Sequence, residues 1–235
     1  MKNRYIFDVD GTLTPSRGLM DSEFRQFFLD FAQYNPCYLV TGSDYSKTLE
    51  QVGISVMYMV ERVYNCSGCE VRSKGEIIRT VDWEPEYQLI KWLEAEVKDS
   101  RFYRKTGLHI EVRQGMLNFS IVGRNCSMEE RHMYREWDEH KNERADIAKR
   151  FRSAFPGIVA NVAGETGIDI HPEGYDKSQI LQDFSEDDYI IFFGDKMQPG
   201  GNDYPLSQAI KNGRAVEVED WQGTYNELRY KCSGD

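Results

Sequence analysis

The chain has 235 residues, with 29 lysines and arginines against 39 acids and a formal net charge of −10. That length suits one large domain or a core with an insertion, and either can bury a real hydrophobic core. The acidic balance argues against nucleic acid or an anionic membrane as a main partner, and no 18-residue apolar run offers a membrane span.

Residues 4–9 are almost continuously apolar, which predicts a short strand buried on both faces. Phe7-Asp8-Val9-Asp10-Gly11-Thr12-Leu13-Thr14 completes it. Side chains alternate along a strand, so Asp8 and Asp10 are expected to face one small site. Gly11 then permits a sharp turn. One carboxylate could attack phosphorus and the other handle the proton, provided a metal ion holds the negative charges together. The chain enters this strand without a charged-then-apolar leader, so a cytoplasmic protein is expected.

Asp21 to Gln33 places Phe24, Phe27, Phe28 and Phe31 on one helical face. Cys37–Val40 reads as a second strand, ending at Thr41-Gly42-Ser43-Asp44. A helix from Tyr45 to Val52 closes at Gly53, and Ser55 to Val63 predicts a return to strand. This alternation implies right-handed crossovers and a parallel sheet, an α/β fold. Cys66-Ser67-Gly68-Cys69 is a lone C-x-x-C, and a structural zinc site wants about four ligands. It reads as an ordinary loop with two thiols; the odd total of five cysteines suits a reducing compartment.

The grammar changes near Trp83. A helix runs from Glu86 to about Val97, then Leu108–Arg113 and Met116–Val122 alternate around a Gln114-Gly115 hairpin loop. Ser127-Met128-Glu129-Glu130 is a capping box that opens a charged helical stretch to about Phe155. Strands near Ile158–Val162 and Gly167–His171 follow. Antiparallel strands with helices, set between parallel units, read as an inserted α+β domain over residues 82–175, with the core in 1–81 and 176–235. Parallel grammar then resumes: a helix from Asp176-Lys177 to Phe184, a buried strand Tyr189–Phe193 ending at Gly194-Asp195, and Gly200-Gly201-Asn202-Asp203 beyond it. Arg214–Val218 is a last strand.

In an open parallel sheet the reactive crevice lies outside the carboxyl ends of the strands. Asp8 with Asp10, Thr41 to Asp44, Lys177, and Asp195 with Asp203 all fall there. Carboxylate oxygens favour a hard divalent cation such as magnesium over zinc. Lys177 would add a point charge, and Thr41 or Ser43 with backbone N–H groups would hold phosphoryl oxygens.

These residues resemble a family. DVDGT, a hydroxyl-Gly turn after the second strand, a lysine, then GDK with GGND is similar to the haloacid dehalogenase (HAD) superfamily of aspartate-nucleophile phosphotransferases, and closer still to its eukaryotic-type phosphomannomutases. FDVDGTLT at 7–14, VRQGMLNFSIVGRNCSMEER at 112–131 and FFGDKMQPGGND at 192–203 carry the likeness. GSDYSKTLEQVG at 42–53 and GIDIHPEGYDK at 167–177 support it, in register across nearly all of the chain. The resemblance implies a Rossmann-like three-layer core with an inserted C2-type cap. It implies Asp8 as the nucleophile that becomes an aspartyl phosphate, and Asp10 as general acid/base that also offers its backbone carbonyl to Mg2+. Asp8 and Asp195 would give that ion side-chain oxygens, with Asp203 nearby. Arg17, Arg113, Arg124 and Arg131 correspond to substrate-binding arginines, and Asp169 to a carboxylate that binds sugar hydroxyls. Mannose 6-phosphate and mannose 1-phosphate would interconvert, primed by a hexose 1,6-bisphosphate, in a homodimer joined through the cap.

Four departures from the family pattern bear on specificity. Cys66-Ser67-Gly68-Cys69 stands where the family has a Glu-Asn-Gly turn, Gly167 replaces a serine that accompanies Asp169, and Thr41 replaces a glycine. The segment after Asp203 lacks the acids that hold an auxiliary metal in relatives. A magnesium-dependent sugar-phosphate phosphatase and an inactive sugar-phosphate sensor therefore stand beside the mutase as alternatives.

Overall fold

The computed structural model describes residues 2–232. Strand β1 (Lys2–Phe7) buries Tyr5, Ile6 and Phe7, so both of its faces are covered. Asp21 caps α1 (Ser22–Tyr34) by accepting from the N–H groups of Glu23 and Phe24. The phenylalanine stripe of α1 lies on β1, with Tyr5–Phe31 and Phe7–Phe28 in edge-on contact at 4.9 and 5.2 Å between ring centroids. β2 (Cys37–Val40) is buried throughout, and α2 (Tyr45–Val52) runs from an Asp44 cap to Gly53, whose φ of 82° suits glycine.

The next segment differs from expectation. Ser55 to Met59 is helical, within α3 (Ile54–Met59), and strand begins only at β3 (Arg62–Asn65). Val56 and Met57 are buried while Ile54 and Tyr58 are exposed. An apolar run this short carries too little periodicity to separate a helical turn from a strand. A 3-10 turn at Cys66–Gly68 leads into a hairpin of β4 (Glu70–Ser73) and β5 (Glu76–Thr80), which adds two antiparallel strands at one edge. Lys74 and Gly75, both at positive φ, make its two-residue loop.

In the inserted segment, α4 (Tyr87–Asp99) precedes β6 (Ile110–Arg113) and β7 (Met116–Phe119). The Ser127–Glu130 capping box is formed in both directions, 3.1 and 2.9 Å, at the start of α5 (Met128–Lys141). The expected single stretch to Phe155 is two helices. Asn142 turns left-handed, and Asp138 accepts from the backbone N and Nε of Arg144 at the start of α6 (Glu143–Ala154). β8 (Ile158–Ala163) and β9 (Gly167–Pro172) complete an antiparallel sheet of order β6-β7-β9-β8. Leu93, Phe119, Tyr134, Phe151 and Ile170 form its core against α4, α5 and α6.

Beyond it, Asp176 caps a 3-10 helix, Lys177–Asp183, where an α-helix was expected. β10 (Asp188–Gly194), α7 (Tyr204–Ala209), β11 (Gly213–Glu217) and α8 (Trp221–Cys232) follow. The main sheet has the order β11-β10-β1-β2-β3-β4-β5, parallel from β11 to β3. Alternate residues divide its two faces: Phe7, Leu39 and Phe193 pack on α1, α3 and α8, whereas Ile6, Val40 and Phe192 meet Ile180 and Leu206. That is three layers.

The chain divides into two compact units. Met1–Thr80, Tyr175–Pro199 and Asp203–Asp235 form one; Val81–Gly174 and Gly200–Asn202 form the other. No helix among the described residues is long and apolar enough to cross a membrane.

Candidate active site

Asp8 follows β1 directly, and its N–H continues the ladder to Phe193 O at 2.9 Å. The chain then wraps on one carbonyl: the N–H groups of Thr12, Leu13 and Thr14 all donate to Val9 O. This turn ends the strand at Phe7, so alternation no longer governs Asp8 and Asp10. Asp8 joins Asp195 and Asp203, with one carboxylate oxygen of each within 4.8 Å of the others. The Asp10 carboxylate has different company. Its Oδ1 accepts from Arg17 N at 2.6 Å and Gln51 Nε2 at 2.9 Å, and its Oδ2 from Ser43 Oγ at 3.5 Å.

Lys177 lies at the start of the 3-10 helix and is fully enclosed. Its Nζ donates to Asp8 Oδ1 at 2.5 Å and Asp203 Oδ1 at 2.7 Å. Burial works against its charge, but the two carboxylates outweigh burial and hold the ammonium protonated above the ordinary lysine range. Burial pushes Asp8 well above the usual carboxylate range; Lys177 opposes this, while Asp203 and Asp195 add to it. Asp195 is raised as well, by burial first, although Lys196 Nζ reaches its Oδ2 at 2.8 Å.

Asp8 and Asp195 are thus short of positive charge, and Asp203 stands with them. Their donors are all hard oxygens, and the space around them is kept by missing side chains. A Cβ on Gly11 would sit 2.5 Å from Asp195 Oδ2, and one on Gly194 would sit 2.6 Å from Asp203 Oδ2. This set fits a hard divalent cation such as Mg2+.

Thr41 and Ser43 stand after β2. Thr41 Oγ1 accepts from Ser43 N at 3.0 Å, which closes the loop on itself. The loop is braced from behind by the C-x-x-C turn: Ser67 N donates to Thr41 O and Cys66 N to Ser43 O, at 2.8 and 2.9 Å. Cys66, Ser67 and Gly68 all have positive φ to make these bonds. Both thiols are buried and neither is in a disulfide, and burial pushes Cys69 up to about 11. The turn is therefore a brace rather than a bare loop, which no spacing rule for C-x-x-C would have shown.

In the inserted unit, Arg113 donates through Nε at 2.9 Å, and through Nη2, to Glu111 Oε2. Arg124 Nε reaches the same oxygen at 3.0 Å. Arg124 Nη1 also donates to Asn118 Oδ1 at 3.3 Å, and Asn118 Nδ2 to Asp169 Oδ1 at 2.7 Å. Burial, then repulsion from Arg113, holds the Arg124 guanidinium below the usual arginine range. Arg131 is buried, with Nη1 on Thr166 Oγ1 at 3.1 Å and Glu165 at 3.7 Å. Arg113, Arg124 and Asp169 are one linked group, and the partly buried cations in it suit an anionic ligand.

Sequence reasoning missed Gln51, Glu111 and Asn118. Two of these carried a signal. Glu111 is two residues before Arg113 on a strand and shares its face; Gln51 falls on the buried face of α2 with Thr48 and Val52. Asn118 meets Asp169 only through the β7–β9 register.

Comparison with known proteins follows the same lines. Residues 24–229 match the family model of eukaryotic phosphomannomutase. The phosphomannomutase of Oryza sativa subsp. indica is 34% identical over 92% of this chain and 90% of its own. That of Dendrobium officinale is 34% identical over 98% of this chain and 96% of its own. A haloacid dehalogenase-like hydrolase from Bacteroides thetaiotaomicron shares the fold at 12% identity, with a TM-score of 0.60 over 98% of this chain and 100% of that one. The α/β core with an inserted antiparallel-sheet unit, expected from the sequence, is the fold found.

Proposed function

Because the chain belongs to the eukaryotic phosphomannomutase family, we propose that it interconverts mannose 6-phosphate and mannose 1-phosphate through an aspartyl phosphate on Asp8. The observation that carries this reading is the enclosed Asp8 carboxylate, held by Lys177 beside Asp195 and Asp203. Lys177 engages Oδ1 and leaves Oδ2 of Asp8 to attack phosphorus. A bound Mg2+, held by Asp8, Asp195, the Asp10 backbone carbonyl and the nearby Asp203, would neutralise phosphoryl charge. Asp10 gives a proton to the departing sugar oxygen and takes one from the attacking hydroxyl. Thr41 and Ser43 hold phosphoryl oxygens on a loop already closed by its own hydrogen bond.

Arg17, Arg113, Arg124 and Arg131 bind the phosphate that is not reacting, and Asp169 binds sugar hydroxyls. A hexose 1,6-bisphosphate primes the cycle by phosphorylating Asp8, and the sugar bisphosphate formed on each turn presents its other end before release. A phosphatase would use the same nucleophile with water as acceptor. A phosphorus NMR time course with mannose and glucose 1-phosphates, with and without the 1,6-bisphosphates, separates the two. Growth of the 6-phosphate signal on adding bisphosphate supports the mutase. Inorganic phosphate alone overturns it in favour of hydrolysis, and no change on any ester would leave a binding protein.

A further inference from the structure

Gln51 is wholly shielded from solvent on the inner face of α2, where an apolar residue would ordinarily sit. A buried amide is unfavourable unless its hydrogen bonds are made. Its Nε2 donates to Asp10 Oδ1 at 2.9 Å and to Thr14 Oγ1 at 3.2 Å. The partners themselves set which end of the amide faces them. Thr14 places its hydroxyl proton on Val9 O at 3.3 Å and so can only accept, and a carboxylate oxygen accepts as well. The far end of the amide is left worse off: Gln51 Oε1 is buried without a hydrogen-bond partner among the described residues. An amide kept at that disadvantage, aimed at one carboxylate oxygen, points to a task.

Asp10 Oδ1 has a second donor. Arg17 N–H reaches it at 2.6 Å, from a backbone with φ of 57°, a region that residues other than glycine rarely occupy. Two N–H groups occupy both lone pairs of Oδ1. Among the described residues, Oδ2 has only the long contact from Ser43 Oγ, at 3.5 Å. A carboxyl group carries its proton on an oxygen with a lone pair to spare, and here that is Oδ2.

We propose that Gln51 is a positioning residue which, with the Arg17 N–H, reserves Oδ2 of Asp10 as the oxygen that gives and takes the proton. The proposal rests on the reading of Asp10 as general acid/base. As Asp8 Oδ2 forms its bond to phosphorus, the bond from phosphorus to the sugar oxygen breaks, its electron pair stays on that oxygen, and the oxygen takes the proton from Asp10 Oδ2. In the return step the attacking sugar hydroxyl gives its proton to Asp10 Oδ2 while the Asp8–phosphorus bond breaks towards Asp8. Without Gln51 a single N–H, that of Arg17, holds Oδ1, so the carboxyl group turns more easily and the starting point of the proton is less firmly set.

The test uses two substrates that differ in their need for a proton. A hexose 1-phosphate expels an alkoxide that must be protonated, whereas 2,4-dinitrophenyl phosphate expels a stable phenolate. Gln51→Met keeps the length of the side chain, removes the donor and also removes the orphaned Oε1. Single-turnover release of sugar and of dinitrophenol is measured for the unaltered chain, Gln51→Met and Asp10→Asn. Gln51→Met is expected to lose about tenfold or more with the sugar phosphate, short of the full 10²–10⁴ contribution of a general acid, and less than about threefold with the aryl phosphate. KM for the sugar phosphate should change little. The ratio of the two rates does not depend on how much of a preparation is folded, so Gln51→Ala can be read the same way if the methionine variant folds poorly. Equal losses on both substrates would reduce Gln51 to a packing residue and overturn the inference, provided Asp10→Asn retains the leaving-group selectivity. If Asp10→Asn also lacks it, the acid/base reading falls first and takes the proposal with it.

Discussion

Gly11 and Asp195 are far apart in the sequence, yet a Cβ on Gly11 would lie 2.5 Å from Asp195 Oδ2. The glycine has φ of 79°, so it serves both the turn after Asp8 and the approach of the second acid. Gly11→Ala is expected to cost about 1–2 kcal/mol from its backbone alone. It also displaces the Asp195 carboxylate. Thermal melting should show the backbone penalty, and the Mg2+ concentration needed for half-maximal activity should rise by a larger factor than the stability loss accounts for. An alanine variant with an unchanged Mg2+ requirement would show that Asp195 does not serve the cation.

Lys177 holds together two carboxylates that have no other buried cation between them in the described structure. Lys177→Met leaves Asp8 and Asp203 enclosed and uncompensated, which is expected to cost about 3–5 kcal/mol. Urea unfolding in the presence of a chelator gives that figure. Added Mg2+ should recover part of it, because a cation bound to the acids replaces some of the lost charge. A variant as stable as the unaltered chain under chelation would contradict this account of the site.

Asn118 joins Arg124 to Asp169, and Gly167 leaves the room for it. A Cβ on Gly167 would fall 2.7 Å from Asn118 Nδ2. Asn118→Ala removes the donor on Asp169, and Gly167→Ser pushes that donor aside. Both should raise KM for the sugar phosphate by roughly tenfold, the weight of one hydrogen bond to a charged group, while the rate of Asp8 phosphorylation by acetyl phosphate stays near its original value. Loss of acetyl phosphate reactivity in both variants would place the damage in the core and not in sugar binding.

The thiol of Cys69 has an ordinary environment for a core residue and a poor one for reactivity. Burial raises it to about 11, with Gln179 and Arg79 acting the other way. At pH 8 its thiolate fraction is therefore on the order of 10⁻³. Native-state alkylation followed by peptide mass analysis should find Cys126, which is half-buried, modified before Cys37 and Cys69. Labelling of Cys69 should rise about tenfold per pH unit between 8 and 10, as the thiolate fraction does. Rapid labelling at neutral pH would mean the brace behind Thr41 and Ser43 opens readily.

What was legible in the chain followed from short-range physics. The apolar run at β1, the phenylalanine stripe of α1, the capping box at Ser127, and the alternating strands of the insertion each depend on neighbours within a turn or two. The same holds for the placing of Asp8, Lys177, Asp195 and Asp203 at element ends, because strand ends on one side of a parallel sheet converge. Local pattern failed where it was too short to have a period, as at α3, or where a break is made by a side chain reaching across, as Asp138 does at Asn142.

The sequence alone established the parallel core, the insertion and the chemical type of the site, since periodicity, turn residues and carboxylate-rich strand ends are properties of the chain itself. Only the tertiary structure decided how the acids are divided. Asp8 belongs with Asp195 and Asp203, while Asp10 belongs with Arg17, Gln51 and Ser43. Two residues of spacing do not settle that outcome, because the turn on Val9 O ends the strand and hydrogen bonds from remote segments then choose the direction of each side chain.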